Sequence, residues 1–186
     1  MKPLNIGIIG LGTVGIGLMK CLINNKNVIK SKSERVISIA AICAKNKNKK
    51  RDIDIGNLKW VQDPFDITDD KEIDVVVELI GGDENPSKSI VEKSLLNKKH
   101  VVTANKALIA KHGHYLALLA EEQQVCLNFE AAVAGAIPII KAIKESLSGN
   151  VISKVYGVIN GTCNYILTQM EKEEKEYTSI FKKAQQ

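Results

Sequence analysis

The stretch Asn5-Ile6-Gly7-Ile8-Ile9-Gly10-Leu11-Gly12-Thr13-Val14-Gly15 constrains this chain more than any other. An apolar run of strand character enters a glycine-rich turn and leaves into a helical pattern. In that setting Gly-x-Gly-x-x-Gly has a steric logic. Gly10 makes the tight turn, Gly12 lets a diphosphate approach the backbone, and Gly15 lets the helix pack close to the sheet. A diphosphate placed there meets the free N–H groups and positive dipole end of the helix. Glycines at this spacing also make ordinary turns; the strand before and the helix after are what favour a dinucleotide site.

Beyond the turn, strand and helix patterns alternate. Residues 4–9 read as a strand, about 13–25 as a helix and 36–44 as a second apolar strand, followed by a loop rich in lysine and asparagine. Trp60-Val61 and the Asp63-Pro64 turn mark a short element. Residues 74–80 are a β-branched strand ending at Gly81-Gly82, and 86–97 read as a helix. Then come a strand at 100–103, a helix at about 106–122, a strand at 125–129 and a helix at 137–147 closed by Gly149. Near-continuous apolar strands separated by such helices predict an α/β fold on a doubly wound parallel sheet.

After residue 149 the pattern changes. Residues 151–159 alternate as a strand with one solvated face, 162–171 begin a helix, and 177–186 resume a helical pattern after a charged run. One strand and two helices cannot close a core. The expectation is a dinucleotide-binding domain over 1–149 and the truncated start of a second, α+β domain over 150–186. An unpaired edge at 151–159 predicts self-association.

Composition narrows the partners. The net charge of +5 comes from lysines that cluster at 45–51 and near the C-terminus. With 4% aromatic residues and no helix-turn-helix or zinc pattern, nucleic acid is a poor candidate partner. Cys21, Cys43, Cys126 and Cys163 are far apart, and Cys43 and Cys126 lie in strand-like runs, which predicts buried, reduced thiols. Neither a signal peptide nor a membrane-spanning run is evident, so a cytoplasmic chain with no membrane partner is expected.

The end of the second strand bears on cofactor choice. A site for the 2′-hydroxyl of NAD usually places Asp or Glu about 20 residues after the glycines. This chain has Ala44-Lys45, then Lys47, Lys49, Lys50 and Arg51. Nothing there repels a 2′-phosphate and the cations attract it, so NADP(H) is favoured over NAD(H); a loop of solvated lysines would look the same. Gly81 and Gly82, at a strand's carboxyl end, leave room for a nicotinamide ribose, or simply make a turn. Lys106 follows Thr103-Ala104-Asn105 at the end of the next strand. A cation there can orient a carboxylate or carbonyl, or supply a proton. The helix dipole disfavours a lysine at a helix start, which speaks for a functional role. The small-residue loop from Glu130 to Pro138 offers carbonyls and one carboxylate to a hard cation, though most such loops bind nothing. His112 and His114 lack a third ligand and read as exposed loop histidines, and His100 has no evident partner.

Several stretches together resemble homoserine dehydrogenase over essentially all 186 residues. They are Gly10 to Gly15; Val102-Thr103-Ala104-Asn105-Lys106; Phe129-Glu130-Ala131-Ala132-Val133 with Gly135 and Ile137-Pro138; and, most specific, Asn160-Gly161-Thr162-Cys163-Asn164-Tyr165-Ile166-Leu167-Thr168. The resemblance implies a Rossmann-like cofactor domain. It further implies NADP(H)- or NAD(H)-dependent interconversion of aspartate 4-semialdehyde and homoserine, in threonine, methionine and isoleucine biosynthesis. By the same resemblance Leu11, Thr13 and Val14 join the glycines around the cofactor, Lys45 is the basic position, and Lys106 acts in the cofactor site and in catalysis. A structural, sodium-like monovalent cation maps onto Glu130, Val133, Gly135 and Ile137. The implied partners are a small-molecule substrate and further copies of the chain.

The family pattern continues past the helix matched by residues 178–186 into a Gly-Tyr-Ala-Glu-like segment, an Asp-rich stretch and a lysine. Those supply the substrate-binding carboxylates and the proton, and none occurs before Gln186. The alternative expectation is a non-catalytic nucleotide-binding or subunit-interaction fragment.

Overall fold

Five short apolar runs pair in parallel to form one sheet. The structure is a computed structural model that describes residues 2–157 and 160–184. The chain divides into two units, residues 1–142 and 143–186. In the first, β1 (Leu4–Ile9), β2 (Ile37–Cys43), β3 (Val75–Glu78), β4 (His100–Thr103) and β5 (Leu127–Asn128) lie in the order β2-β1-β3-β4-β5. Every pairing is parallel. The winding therefore reverses between β1 and β3, and a crevice opens at the carboxyl ends of those two strands.

Period-two alternation sends neighbouring side chains to opposite faces. Val75 and Val77 join Ile6, Ile8 and Met19 of α1 (Thr13–Asn24) on one face. Val76 joins Ile9, with Ile67 of α3 (Pro64–Asp69) and Ile90 of α4 (Ser87–Leu96), on the other. That second face continues where Leu108, Leu116 and Leu119 of α5 (Lys106–Glu122) cover Val101 and Leu127. Each fully buried Leu or Ile contributes about 1.5–3 kcal/mol, so the helices are held by packing. The α1 face is covered less completely: an apolar cavity of about 430 Å³ beside it is lined by Leu18, Val75, Val77, Val102 and Cys126.

The expected doubly wound α/β sheet is present, with local differences. Three helices were not anticipated: α2 (Lys26–Ser33), which buries no residue, α3, and a short helix within the Glu130 loop. The Asp63-Pro64 turn is the start of α3, because the Asp63 side chain accepts a hydrogen bond from the Phe65 N–H (2.9 Å) and proline fits the first helical position. The strand expected at 125–129 shortens to Leu127–Asn128. A short α6 (Glu130–Val133) follows it. In place of one helix at 137–147, α7 (Ile139–Lys141) passes into a π-helical turn at Ala142–Ser146. All four cysteines are free thiols. Cys43 is buried as expected, and burial, then Asp63 and Asp66, push its pKa up. Cys126 is exposed, correcting the expectation, because it lines the incompletely covered face. His112 and His114 lie in α5 and not in a loop, and the His100 Nδ1 accepts a hydrogen bond from the Cys126 N–H (3.0 Å).

In the second unit α8 (Gly161–Glu173) and α9 (Tyr177–Ala184) pack together, burying Ile166 and Ile180. Asn160 caps α8, its side-chain oxygen accepting from the Cys163 N–H (3.0 Å). Lys183 and Lys175 hold the Glu173 carboxyl at a pKa of about 2. The strand expected at 151–159 is not formed over 151–157, and residues 158 and 159 lie outside the described residues. Val151 is 99% exposed. Alternation prepares a strand, but a ladder also needs a partner for its N–H and C=O groups. Among the described residues this unit has no other strand to supply one.

Candidate cofactor site

The turn between β1 and α1 tolerates no side chain at two of its glycines. Gly10 has φ +103°, and a Cβ there would lie 2.6 Å from the Leu79 carbonyl. A Cβ on Gly15 would lie 2.1 Å from the Gly10 oxygen. At Gly12, by contrast, nothing stands within 4 Å. Gly12 precedes the helix in an extended conformation and offers no side-chain cap. The first helical bond runs from the Ile16 N–H to the Gly12 oxygen (3.0 Å), which leaves the N–H groups of Thr13 and Val14 without helical acceptors. No acidic residue occupies the first turn, so the helix N-terminus keeps its affinity for an anion. Leu11 is buried in the core cluster under α1, whereas Thr13 and Val14 are exposed.

A cavity of about 380 Å³ adjoins this turn. Leu11, Gly12, Thr13, Ile16 and Gly17 line it from the turn and α1, together with Lys20, Lys49, Lys50, Arg51 and Asp52. Four cations thus face one carboxylate, and Asp52 is held below the usual carboxylate range by its hydrogen bond from Lys20. Arg51 organises the loop: its guanidinium donates to the carbonyls of Asn46 (2.6 Å), Lys47 (3.0 Å) and Lys49 (2.9 Å) and lies 5.4 Å from the Trp60 ring centre. Trp60 is in turn tied to β2 by a parallel bridge to Ile42. Ala44 packs half-buried against the core, and Lys45 is exposed at the start of the same loop. This donor set suits an anionic nucleotide.

Across the crevice, the ends of β3 and β4 carry a buried polar network that the sequence reading missed. Glu78 is fully buried. Its Oε1 accepts from the Ile80 N–H (2.9 Å) and the Ser87 hydroxyl (2.8 Å), and its Oε2 accepts from the Thr103 hydroxyl (2.6 Å). Thr103 Oγ1 accepts from the Asn105 N–H (3.0 Å). The Asn105 amide donates to the Gly82 carbonyl (2.6 Å) and to Ser87 Oγ (3.1 Å), while its oxygen caps α5 at the Leu108 N–H (3.1 Å). Gly81 and Gly82 turn with φ of +77° and +89°. Lys106 is the first residue of α5 and is exposed. The signal for Glu78 was a single carboxylate closing the run Val75-Val76-Val77.

The Glu130 loop is organised around backbone donors. Glu130 Oε1 accepts from the Ile140 N–H (2.8 Å) and Oε2 from the Lys141 N–H (3.0 Å), so the carboxylate ties α6 to α7. Val133 is half-buried, Gly135 and Ile137 are exposed, and the Ile137 carbonyl accepts from the Ile139 N–H (2.8 Å). Among the described residues no three His, Cys, Asp or Glu side chains cluster as a metal site would need.

A parallel sheet wound both ways from β1, with a glycine turn open towards a diphosphate, defines a dinucleotide-binding α/β domain. Residues 10–130 match the family model described as homoserine dehydrogenase, NAD binding domain, and residues 138–186 match the one described as homoserine dehydrogenase. The chain belongs to the homoserine dehydrogenase family. It is 46% identical over 185 residues to homoserine dehydrogenase of Neisseria gonorrhoeae and 47% identical over 185 residues to that of Pseudomonas aeruginosa, covering 100% of this chain and 42% of each relative. A crystal structure of a homoserine dehydrogenase from Thiobacillus denitrificans superposes with a TM-score of 0.89 at 43% identity, over 99% of this chain and 42% of that one. The fold is shared more distantly with a hyperthermophilic archaeal homoserine dehydrogenase in complex with NADPH, with a TM-score of 0.81 at 24% identity, over 98% of this chain and 60% of that one. The chain thus spans about two-fifths of the length of the curated relatives it matches. No helix among the described residues is long and apolar enough to cross a membrane.

Proposed function

We propose that this chain binds NADP(H) at the glycine turn and serves the interconversion of aspartate 4-semialdehyde and homoserine. The observation that carries the reading is the open backbone at Gly12 beside Lys20, Lys49, Lys50 and Arg51. When bound, the nicotinamide supplies or accepts the hydride. The chain's own residues bind and orient. Thr13 and Val14 N–H groups, with Leu11 and the glycines, hold the diphosphate. Ala44 leaves space at the end of β2, and Lys45 with the Lys49–Arg51 run draws in the 2′-phosphate. Gly81 admits the nicotinamide ribose. Lys106 orients the substrate carbonyl or holds a proton at its Nζ. Glu130, Val133, Gly135 and Ile137 would hold a monovalent cation, whose charge would serve to stiffen the loop between α6 and α7. Further copies of the chain are its expected protein partner.

Trp60 emission tests the cofactor assignment, because its ring contacts Arg51 on the cavity wall. NADPH should quench it saturably and bind tighter than NADH; no response to NADPH, or a preference for NADH, would sink the assignment. A second reading is that this chain binds the cofactor without turning it over. Homoserine-dependent NADP reduction by the 186-residue chain separates the two. Turnover supports the enzymatic reading, and binding with no turnover supports the second.

A further inference from the structure

We propose that Glu78 is the positioning residue of the nicotinamide end of this site, fixing the Gly81–Gly82 turn and Lys106 to one another. The inference rests on the dinucleotide reading. A parallel sheet needs no charge at this point: the three residues before Glu78 are valines, and all four positions of β3 are buried. A carboxyl group is costly to bury unless both its oxygens are hydrogen-bonded. Here the donors come from three separate elements: the loop after β3 (Ile80), the start of α4 (Ser87) and the end of β4 (Thr103).

The consequences reach the crevice. Ser87 is shared with the Asn105 amide, and Thr103 receives the Asn105 N–H. Asn105 then joins the Gly82 carbonyl to the first turn of α5, where Lys106 follows it directly. A shift of Glu78 therefore moves the glycine turn and the lysine relative to each other. The adenosine end is built from other parts, the Gly10–Gly15 turn and the Lys49–Arg51 loop, and the donors to the Glu78 side chain lie in neither. Loss of Glu78 should consequently separate the two ends of the ligand.

The test compares NADPH with adenosine 2′,5′-bisphosphate, which carries the phosphorylated ribose but no nicotinamide. Both are titrated calorimetrically into the full chain and into Glu78→Gln. The variant keeps an acceptor for Ile80 and Ser87 but turns an amide N–H₂ towards Thr103. Its Kd for NADPH should rise about tenfold while that for the bisphosphate stays within about twofold. Ser87→Ala, which removes one donor and keeps the carboxylate, should move the same ratio by about threefold and carries the test if Glu78→Gln does not fold. A merely structural role would lower Tm and change both affinities together or neither; that result would overturn the proposal. If the unmodified chain binds neither compound, the dinucleotide reading itself falls and takes this one with it. Binding of both with an unchanged ratio removes Glu78 alone.

Discussion

Gly15 and Gly17 sit two residues apart in α1 and should respond to alanine with opposite signs. A Gly-to-Ala change inside a helix is intrinsically worth up to about 1 kcal/mol. At Gly17 nothing lies within 4 Å of the added methyl, so that gain is realised and stability rises by about 0.5–1 kcal/mol. At Gly15 the methyl would stand 2.1 Å from the Gly10 oxygen, against a closest real approach of about 3.0 Å. Gly10 cannot retreat: its N–H is bonded to the Cys43 carbonyl (2.8 Å), and its own Cα faces the Leu79 backbone. Overpacking against a fixed neighbour costs about 1–3 kcal/mol, with the upper end apt for backbone. Gly15→Ala should then lose about 2 kcal/mol net, placing the two variants about 3 kcal/mol apart. For a chain of this size that is roughly 6–12 °C in Tm. Thermal unfolding followed by circular dichroism at 222 nm reads the difference directly. A Gly15→Ala protein that melts at or above the unmodified chain, or above Gly17→Ala, would refute the close-packed turn.

Other expectations follow from charge and exposure. Replacing Lys49 and Lys50 with alanine should weaken NADPH binding by about tenfold or more, since each charge-assisted phosphate contact is strong, while NADH affinity stays within about twofold; parallel losses for both cofactors would contradict the 2′-phosphate assignment. Glu173 should show a carboxyl ¹³C titration midpoint at a pH of about 2. Because its folded pKa lies below the ordinary value of 4.5, its support of the α8–α9 contact is complete above that value and is lost as pH falls towards about 2. Lys183→Ala should return the midpoint towards the ordinary range, and an unmoved midpoint would exclude the ion pair as the cause. Exposed Val151, Val155 and Tyr156 should drive self-association, so sedimentation should give a mass above 20.4 kDa, and a clean monomer at high concentration would count against it.

What could be read from the chain beforehand was local chemistry. Gly10 to Gly15, the lysine at the start of the helix after residue 103 and the apolar strands each announce themselves within a few residues, and the sheet followed from their alternation. α3 was equally legible, since Asp63-Pro64 is a cap followed by a proline suited to the first helical position, but the pair also spells a turn. α2 buries no residue, so it left no apolar period to find. The strand over 151–157 failed for the opposite reason: its pattern is local but its pairing is not. In the basic loop the composition was visible, yet which cations line the cavity depends on Arg51 gathering three carbonyls, a fold that no spacing encodes. Glu78 stood in plain sight among valines, while its three donors come from positions 80, 87 and 103.

The central claim is that a dinucleotide diphosphate rests on the N-terminus of α1. Amide chemical shifts of the ¹⁵N-labelled chain during NADPH titration test it residue by residue. The largest saturable shifts should fall on Gly12, Thr13 and Val14, with a second group at Lys49 to Arg51. Saturable binding that leaves Gly12 to Val14 unmoved, or no binding at all, would contradict it.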